Sequence, residues 1–312
     1  MNEFELIHRL TRSLPTNPSV VVGAGDDCAV LDLGLPDRRF LFKTDAVVEG
    51  VHFDKSTAPE HIGHKALARC LSDIAAMAGT PTHALVTLAL PPGFDVAFVE
   101  RLYAGLTALA RRHDVALVGG ETTTDPMHVW LSVAVLGTVA PGKCPLRSGA
   151  KPGDALFVTG ELGGSLAGRH LDFEPRLAEA RWLVEHCAVH AMMDLSDGLA
   201  GDLRHILEAS GVGAELRAAS IPISRAARQS ARASPAAPLP LAAALTDGED
   251  YELLFTIAGG DAGPLLDAWK SAFPAVKLTC IGKITAAPGL VLIDKDGRRP
   301  LTAHGYVHLQ KS

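Results

Sequence analysis

Hydrophobic and polar residues in the first half of the chain alternate between a strand-like and a helix-like period. Short runs of Val, Leu, Ile and Phe bounded by Gly, Pro or Asp are typical of buried strands, and apolar residues three or four apart are typical of helices. The runs predict strands at Ser19–Val22, Ala29–Leu31, Phe40–Thr44, Ala84–Leu90, Val115–Val118 and His128–Val139. The helical spacing predicts helices near Pro59–Ala78 and at Val96–His113. We therefore expect the first half to form an α/β domain.

The Pro- and Gly-rich segment Pro141–Gly153 separates this pattern from a second one. The second half predicts strands at Ala155–Val158, Glu215–Ala218, Tyr251–Thr256 and Lys277–Ile284, and helices at Pro175–His186 and Gly198–Ser210, with Gly211 as a stop signal. The stretch Ala226–Pro240 lacks clean periodicity and predicts a surface loop or a frayed helix. We expect a two-domain α/β (α+β) protein with domains 1–140 and 141–312.

Bulk properties narrow the class of protein. A length of 312 residues suits two domains better than one core. The net charge of −6 comes without clustered basic residues, so we expect no nucleic-acid partner. No apolar run approaches the ~18 residues of a membrane span, and the N-terminus does not resemble a signal peptide, so we expect a cytoplasmic location and no membrane partner. Five scattered cysteines are interpreted as small core residues.

Acidic residues recur beside glycines or inside apolar stretches in both halves. The motifs are Gly23–Asp27, Lys43–Asp45, Leu71–Asp73, Gly119–Glu121, Asp194–Gly198 and Asp247–Asp250. A solvated surface would place such charges at helix-surface spacing, whereas these follow apolar, strand-like runs. We therefore expect them at strand ends, where clefts form.

Asp73 shows most clearly that these charges need a partner. Ala66 and Cys70 lie seven and three residues before it and Met77 four after it, so its carboxylate shares the apolar face of a predicted helix. An unpaired carboxylate is costly to bury. Either an Arg or Lys neutralises it, with Arg69 four residues back as a candidate, or a metal ion does. Magnesium, which prefers oxygen ligands, would suit several carboxylates acting together beside ATP phosphates.

Familiar nucleotide-binding signatures do not account for these motifs. GAGDDC (Gly23–Cys28) follows a predicted strand but lacks the third glycine and the helix of a dinucleotide fingerprint. The chain has no Walker GxxxxGK[ST] loop and no HRD or DFG signature. A different phosphate-binding scaffold is required.

Seven motifs in order resemble those of thiamine-monophosphate kinases. They are Gly23–Leu31, Thr44–Phe53, Leu71–Gly79, Gly119–Thr123, Arg147–Thr159, Asp194–Leu203 and Gly248–Thr256. This family shares an ATP-binding superfamily with aminoimidazole-ribonucleotide synthetase and selenophosphate synthetase. The resemblance implies a homodimer formed through the sheet of the N-terminal domain, several Mg²⁺ ions, and ATP as co-substrate. It also implies direct in-line phosphorylation of thiamine monophosphate to thiamine diphosphate, without a covalent nucleophile.

Carried over residue by residue, the resemblance implies three sets of contacts. The magnesium ligands would be Asp27, Thr44, Asp45, Asp73, Glu121, Asp194 and Asp197. The ATP contacts would be Tyr103, Gly120, Glu121, Arg147 and Ser196. The substrate contacts would be His52 and Glu249.

Several of these residues also have a structural interpretation. Asp197 could be the N-cap of the following helix, since Asp is a favoured cap. Tyr103 could be a core or interface residue, and His52 could simply close an apolar strand. Asp250, beside Glu249, is expected to be a packing or helix-end group.

The chain departs from the family pattern at three positions. Glu121 stands where the family usually has Asp, Lys43 where many relatives have a hydroxyl residue, and Ala303 where relatives often have an aromatic residue. His304 and Tyr306 are candidate substitutes for that aromatic residue. These departures keep two alternatives open: another ATP-dependent enzyme of the superfamily, or a catalytically impaired nucleotide-binding protein.

Overall fold

The computed structural model describes residues 3–303 and 305–306, which form two compact units. The N unit comprises residues 19–144 and 168–181, and the C unit comprises the described residues of 1–18, 145–167 and 182–312. The helices are α1 (Glu3–Thr11), α2 (Pro59–Ala76), α3 (Val96–Arg112), α4 (Leu177–His186), α5 (Leu199–Ser210), α6 (Arg225–Ala233), α7 (Pro240–Thr246) and α8 (Ala262–Ala272). The strands are β1 (Val20–Val22), β2 (Ala29–Leu31), β3 (Arg39–Val48), β4 (Thr80–Leu90), β5 (Ala116–Thr124), β6 (Trp130–Val139), β7 (Ala155–Thr159), β8 (Val189–Asp194), β9 (Gly213–Arg217), β10 (Leu253–Ile257), β11 (Leu278–Thr285), β12 (Gly289–Asp294) and β13 (Gly297–Pro300).

The N unit is a six-stranded sheet with two helices on one face. The strand order is β1-β2-β3-β6-β4-β5, and only the β4–β5 pair is parallel among the pairs described. Alternate residues of β6, among them Leu131, Val133 and Val135, are buried, as expected for a strand with one covered face. Helix α2 packs on β3, β6 and α3. Its largely buried surface therefore carries Asp73 into the unit's interior.

The C unit is built on a seven-stranded sheet of order β13-β12-β9-β11-β7-β10-β8. The central strands β7 and β10 are buried at every position, because both faces of the sheet are covered there. On one face Leu156 and Leu254 pack with Leu199, Leu203 and Ile206 of α5. This packing fixes the start of α5 beside the end of β8.

The predicted α/β fold class is confirmed, with the strand and helix positions mostly within a few residues. The stretch Ala226–Pro240 is helical up to Ala233, in α6, whose N-cap Ser224 accepts a hydrogen bond from the N–H of Ala227, and it is a loop from Ser234 to Leu239. The sequence pattern did not predict helices α1, α7 and α8 or strands β8, β12 and β13. β13 is exposed throughout, so its residues carry no apolar alternation. The domain boundary after residue 140 stays a prediction.

The interpretation of the cysteines is corrected in part. Cys28 and Cys70 are buried, whereas Cys144, Cys187 and Cys280 are only partly buried, and all five are free thiols. Among the residues described, no helix has the length and apolar character needed to span a membrane.

Candidate active site

Asp27 and Asp73 are two predicted ligands that lie close together within the N unit. Asp27 lies just before β2 and Asp73 on α2, and they are 2% and 7% exposed. A carboxylate oxygen of one lies within 4.8 Å of a carboxylate oxygen of the other. Two like charges at this distance repel by roughly 3.5 kcal/mol at an effective dielectric of 20. The pair therefore requires a cation.

Lys43 supplies one such cation. Its Nζ lies 2.9 Å from Oδ1 of Asp73. Burial by itself lowers the pKa of the Lys43 ammonium, but the charges of Asp73, Asp45 and Asp27 outweigh it, so the pKa is raised. Of the two alternatives that the sequence leaves open for Asp73, the structure shows a basic partner, Lys43.

Arg69 pairs with Asp45 instead. Its Nε lies 3.2 Å from Oδ2 of Asp45, and its Nη1 donates to the carbonyl oxygen of Ala46 at 2.8 Å. One Asp45 oxygen, Oδ1, also accepts the N–H of Ala46 at 3.0 Å. Asp45 is thus held in place by protein groups before any ligand arrives.

The motif Lys43–Asp45 lies inside β3, not at a strand end as expected. Strand β3 pairs with β6 along its whole length, because the ladder is made by backbone groups, which the three consecutive polar side chains do not interrupt. Lys43 and Asp45 contact α2, whereas the Thr44 hydroxyl lies 3.2 Å from Ser132 Oγ and is exposed on the other face. The structure therefore does not bring the Thr44 side chain to Asp45.

Gly120 and Glu121 also lie inside a strand, β5, which continues to Thr124. The expectation of a strand end here is wrong, since the polar run TTT extends an exposed edge strand. Gly120 has φ +156°, and a Cβ there would lie 1.8 Å from the carbonyl oxygen of Val86. Only glycine allows this approach of β5 to β4. Glu121 is exposed, and among the described residues its carboxylate does not lie within 4.8 Å of both Asp27 and Asp73.

His52 lies in the turn that follows β3, with its ring orientation set by the backbone. Its Nδ1 accepts the N–H of Val48 at 3.1 Å, and its carbonyl oxygen accepts a hydrogen bond from Nζ of Lys65 at 2.7 Å. With Nδ1 as acceptor, the neutral imidazole carries its proton on Nε2. Nε2 is therefore the donor atom of the neutral ring. Tyr103 is half-buried on α3, and burial raises the pKa of its phenol.

In the C unit, Asp194 ends β8 and begins the loop Asp194–Gly198. Asp194 is 4% exposed. Asp202, on the first turn of α5, accepts the N–H groups of Asp197 and Gly198 through Oδ2 at 3.1 and 3.0 Å. The N-cap position belongs to Gly198, so the interpretation of Asp197 as the N-cap is wrong. The side chain of Asp202, which the sequence reasoning missed, anchors the helix start instead.

Asp202 is a buried carboxylate that feels the charges of two other acids. It is 1% exposed, and burial followed by the charges of Asp197 and Asp194 raises its pKa, while Arg147 opposes the rise. One feature of the sequence pointed to Asp202. It is an acidic residue four positions after Gly198, among the apolar positions of α5. Arg147 itself is partly buried, and its carbonyl oxygen accepts a hydrogen bond from Ser210.

The loop that carries Glu249 lies along the loop Asp194–Gly198. The N–H groups of Glu249 and Tyr251 donate to the carbonyl oxygens of Ser196 and Leu195 at 2.6 and 2.7 Å. Glu249 and Tyr251 have φ of +54° and +50°, a region in which non-glycine residues are uncommon. Strain of this kind often marks functional sites. The loop thus brings the predicted substrate contact Glu249 beside the predicted ATP contact Ser196.

Asp250 has a structural role, as the sequence allowed. It is 1% exposed, and both its carboxylate oxygens lie 3.0 Å from the N–H of Gly163. Asp247 accepts the N–H of Gly164 in the same way at 3.0 Å. Together they hold a glycine-rich turn that the sequence reasoning did not single out.

Comparison with known proteins decides the family. The models for the N-terminal and C-terminal domains of AIR synthase related protein match residues 25–139 and 151–295. Thiamine-monophosphate kinase from Rhodopirellula baltica is 43% identical over 288 residues, covering 90% of this chain and 87% of the relative. The enzyme of the same name from Escherichia coli K12 is 38% identical over 98% of both chains. The chain belongs to the thiamine-monophosphate kinase family.

Solved structures agree with this assignment. The structure of AaThiL complexed with AMPPCP and TMP matches 99% of this chain and 97% of that one, with a TM-score of 0.82 and 29% identity. Thiamine-monophosphate kinase from Stenotrophomonas maltophilia matches with a TM-score of 0.73 and 33% identity, over 93% and 96% of the chains. The family predicted from the seven motifs is therefore confirmed.

The C-terminal segment of this thiamine-monophosphate kinase family member is tied to the loop Asp194–Gly198. Arg204 donates to the carbonyl oxygens of Leu301 and Ala303, and the N–H of Tyr306 donates to that of Asp197 at 2.8 Å. The Ala303 side chain packs against the C-unit core. Tyr306 is 51% exposed beside Asp197, and His304 lies outside the described residues.

The donor set in the N unit of this family member fits Mg²⁺ at one place. Asp27 and Asp73 offer buried, closely spaced oxygens, which Mg²⁺ prefers. Asp45 and Asp73 each have a basic partner, Arg69 and Lys43, and Glu121 is exposed. By burial and spacing, Asp27 and Asp73 are the candidate magnesium ligands of this unit.

Proposed function

We propose that this chain transfers the γ-phosphoryl group of ATP to thiamine monophosphate and so forms thiamine diphosphate. The observation that supports this proposal best is the near full-length similarity to thiamine-monophosphate kinases, at 43% and 38% identity. The match to AaThiL complexed with AMPPCP and TMP supports ATP as the phosphoryl donor. The buried carboxylates described above suit a reaction between two phosphate-bearing molecules.

We propose Asp27, Asp73 and Asp194 as the principal magnesium ligands. All three are buried, and burying their charges without a cation would be costly in free energy. Asp45 and Asp197 join them as partly buried acids, and Glu121 completes the proposed set. Thr44 is left out of it, because its hydroxyl lies on the other face of the sheet. When bound, Mg²⁺ would neutralise the phosphate oxygens and hold them for in-line transfer.

The proposed ATP contacts are Tyr103, Gly120, Glu121, Arg147 and Ser196. In the N unit, Gly120 lets the β5 backbone pass close to β4, Glu121 follows it, and Tyr103 offers a half-buried ring. In the C unit, Arg147 supplies a guanidinium for phosphate oxygens, and Ser196 offers a hydroxyl in the loop after β8.

The proposed contacts to thiamine monophosphate are His52 and Glu249. We propose that the Nε2–H group of His52 donates to the acceptor phosphate, since Nδ1 accepts the N–H of Val48. The carboxylate of Glu249 would favour the cationic thiazolium ring. Tyr306, next to Asp197, is the exposed ring that could replace the aromatic residue usual in relatives.

The chemistry requires little proton transfer. The acceptor is a phosphate oxygen that is already anionic at pH 7, so positioning and charge neutralisation supply most of the acceleration. Burial, and secondly the charge of Asp73, raise the pKa of the Cys28 thiol well above its usual value. Cys28 is therefore a poor nucleophile, which is consistent with direct transfer.

We also propose that the chain forms a homodimer through the N-unit sheet, and that it works in the cytoplasm. The side chains of Phe42 on β3, Leu85 on β4 and Val118 on β5 are 50%, 47% and 57% exposed. Phe42 points away from α2, since it alternates with Lys43 along β3. A partner sheet would bury these apolar side chains.

The decisive experiment is an assay of the purified chain with ATP, Mg²⁺ and thiamine monophosphate, with ADP and thiamine diphosphate both quantified. We expect the two products in equal amounts, and neither with the Asp73→Asn variant. ADP without thiamine diphosphate would favour another ATP-dependent enzyme of the superfamily. ATP binding without turnover would favour a catalytically impaired nucleotide-binding protein.

A further inference from the structure

The charges around Asp73 in the N unit are already largely balanced by the protein. Three carboxylates, Asp27, Asp45 and Asp73, form what we call the acidic cluster, and Lys43 and Arg69 pair with two of them at 2.9 and 3.2 Å. The five groups together carry a formal charge of −1.

The fold holds the Lys43 side chain within the acidic cluster. The alternation of β3 directs its side chain to the α2 side of the sheet, where Asp73 lies on the buried surface of the helix. The Lys43 and Asp73 side chains are 24% and 10% exposed. An ammonium so enclosed repels a divalent ion that approaches the same carboxylate, because both are cations competing for the same oxygens.

We propose that the Lys43 ammonium is a resident cation of the acidic cluster and takes the place of one of the divalent ions there, while Asp73 remains a ligand of the others. A chain without this ammonium would hold an additional or a more tightly bound divalent ion there. Lys43 thereby sets how many metal ions the site takes, and it adds a positive charge that stays when magnesium leaves. The inference rests on the proposed magnesium site but not on thiamine monophosphate as the acceptor.

The test measures Mn²⁺ binding to the nucleotide-free, full-length chain by calorimetry. We expect Lys43→Gln to bind Mn²⁺ at least tenfold more tightly, or to bind one more equivalent, because Gln keeps a polar side chain but removes the charge. Lys43→Arg retains the charge and should bind Mn²⁺ as the wild type does. Lys270→Gln, which removes a lysine from an exposed pair with Asp267, is the matched control and should change nothing.

A double-mutant comparison connects the effect to Asp73. Asp73→Asn should weaken Mn²⁺ binding in the wild type as well, because we propose Asp73 as a ligand of the remaining ions. In the Lys43→Gln background the same change should remove the whole gain. Equal Mn²⁺ binding by the wild type and Lys43→Gln would overturn the proposal, and so would a gain that survives Asp73→Asn.

Stability gives a second readout if Lys43→Gln folds poorly. Loss of the ammonium leaves Asp73 without its basic partner, so Mn²⁺ should raise the melting temperature of Lys43→Gln more than that of the wild type. Lys43→Ser, measured in the same way, serves if the Gln variant cannot be purified. Equal shifts in variant and wild type would contradict the proposal. Because no nucleotide or thiamine monophosphate is present, the result is independent of the kinase assay.

Discussion

The N–H of Glu249 donates a hydrogen bond of 2.6 Å to the carbonyl oxygen of Ser196. The bond joins two loops of the C unit, of which one carries a proposed substrate contact and the other a proposed ATP contact. Any change that separates the loops should therefore affect both substrates together. The most sensitive position for such a change is Gly248, just before Glu249.

Gly248→Ala should reduce both stability and activity. Gly248 has φ +73°, and a Cβ there would lie 2.8 Å from the carbonyl oxygen of Ser196. We expect a loss of about 1–3 kcal/mol in the free energy of unfolding and a rise in KM for both substrates. The measurements are urea unfolding and steady-state kinetics. Gly260→Ala is the control, since a Cβ at Gly260 meets nothing within 4 Å, and an equal loss in the two variants would contradict this account.

Asp73→Asn should abolish turnover and leave the chain folded. The substitution keeps the side-chain volume but removes the anionic oxygen that we propose for magnesium. Lys43 would lose its ion pair, but it is partly exposed and can be hydrated. The readouts are kcat and the circular dichroism spectrum. Asp267→Asn breaks an exposed Lys–Asp pair and should keep full activity. A folded, active Asp73→Asn variant would remove Asp73 from the metal site.

Substitutions at Glu121 test whether this residue is a magnesium ligand. If Glu121 binds magnesium, Glu121→Gln should lower kcat/KM at least tenfold, a cost of about 1.4 kcal/mol, and Glu121→Asp should stay active. If it does not, both variants should lie within about threefold of the wild type at every magnesium concentration. We expect the first result, because the family usually has Asp here. The measurement is kcat/KM across a magnesium titration.

Asp202→Asn should change the pH dependence of stability. Burial and the charges of Asp197 and Asp194 raise the pKa of Asp202 in the folded chain, so its contribution is present below the unfolded pKa near ~3.9 and is lost as pH rises through the folded pKa. Asn cannot ionise, yet its carbonyl oxygen can still accept the N–H groups of Asp197 and Gly198. Relative to the wild type, the variant should therefore gain stability as pH rises.

Urea unfolding in EDTA at pH 5 and pH 8 tests this prediction. The exposed variant Asp267→Asn should show no such gain. A constant difference between Asp202→Asn and the wild type at both pH values would show that Asp202 does not carry the buried charge.

Much of the fold and of the candidate residues followed from local sequence. Helix α2 and strand β7 were predicted closely, since their burial alone requires apolar residues at regular spacing. The motif around Asp73 also showed that a carboxylate would be buried and would need a cation. Seven ordered motifs identified the family, because each retains short polar signatures that packing does not demand.

The identity of the partners was decided by tertiary structure. Lys43 and Asp73 are 30 residues apart, and they meet only because β3 turns Lys43 toward the helix that carries Asp73. Local spacing favoured Arg69 instead, which lies one helical turn from Asp73. The acids of Lys43–Asp45 and Gly119–Glu121 were likewise placed at strand ends, although their strands continue past them.

The physical reason is that sequence period and burial are local properties, whereas pairing depends on register between distant elements. The apolar spacing of α2 determines that Asp73 is buried, whatever lies opposite it. Which charge lies opposite depends on how β3 is aligned beneath the helix, and a shift by one residue would replace Lys43 with Thr44. The sequence by itself thus determined the family and the need for a cation at Asp73, and only the tertiary structure selected Lys43 as that cation.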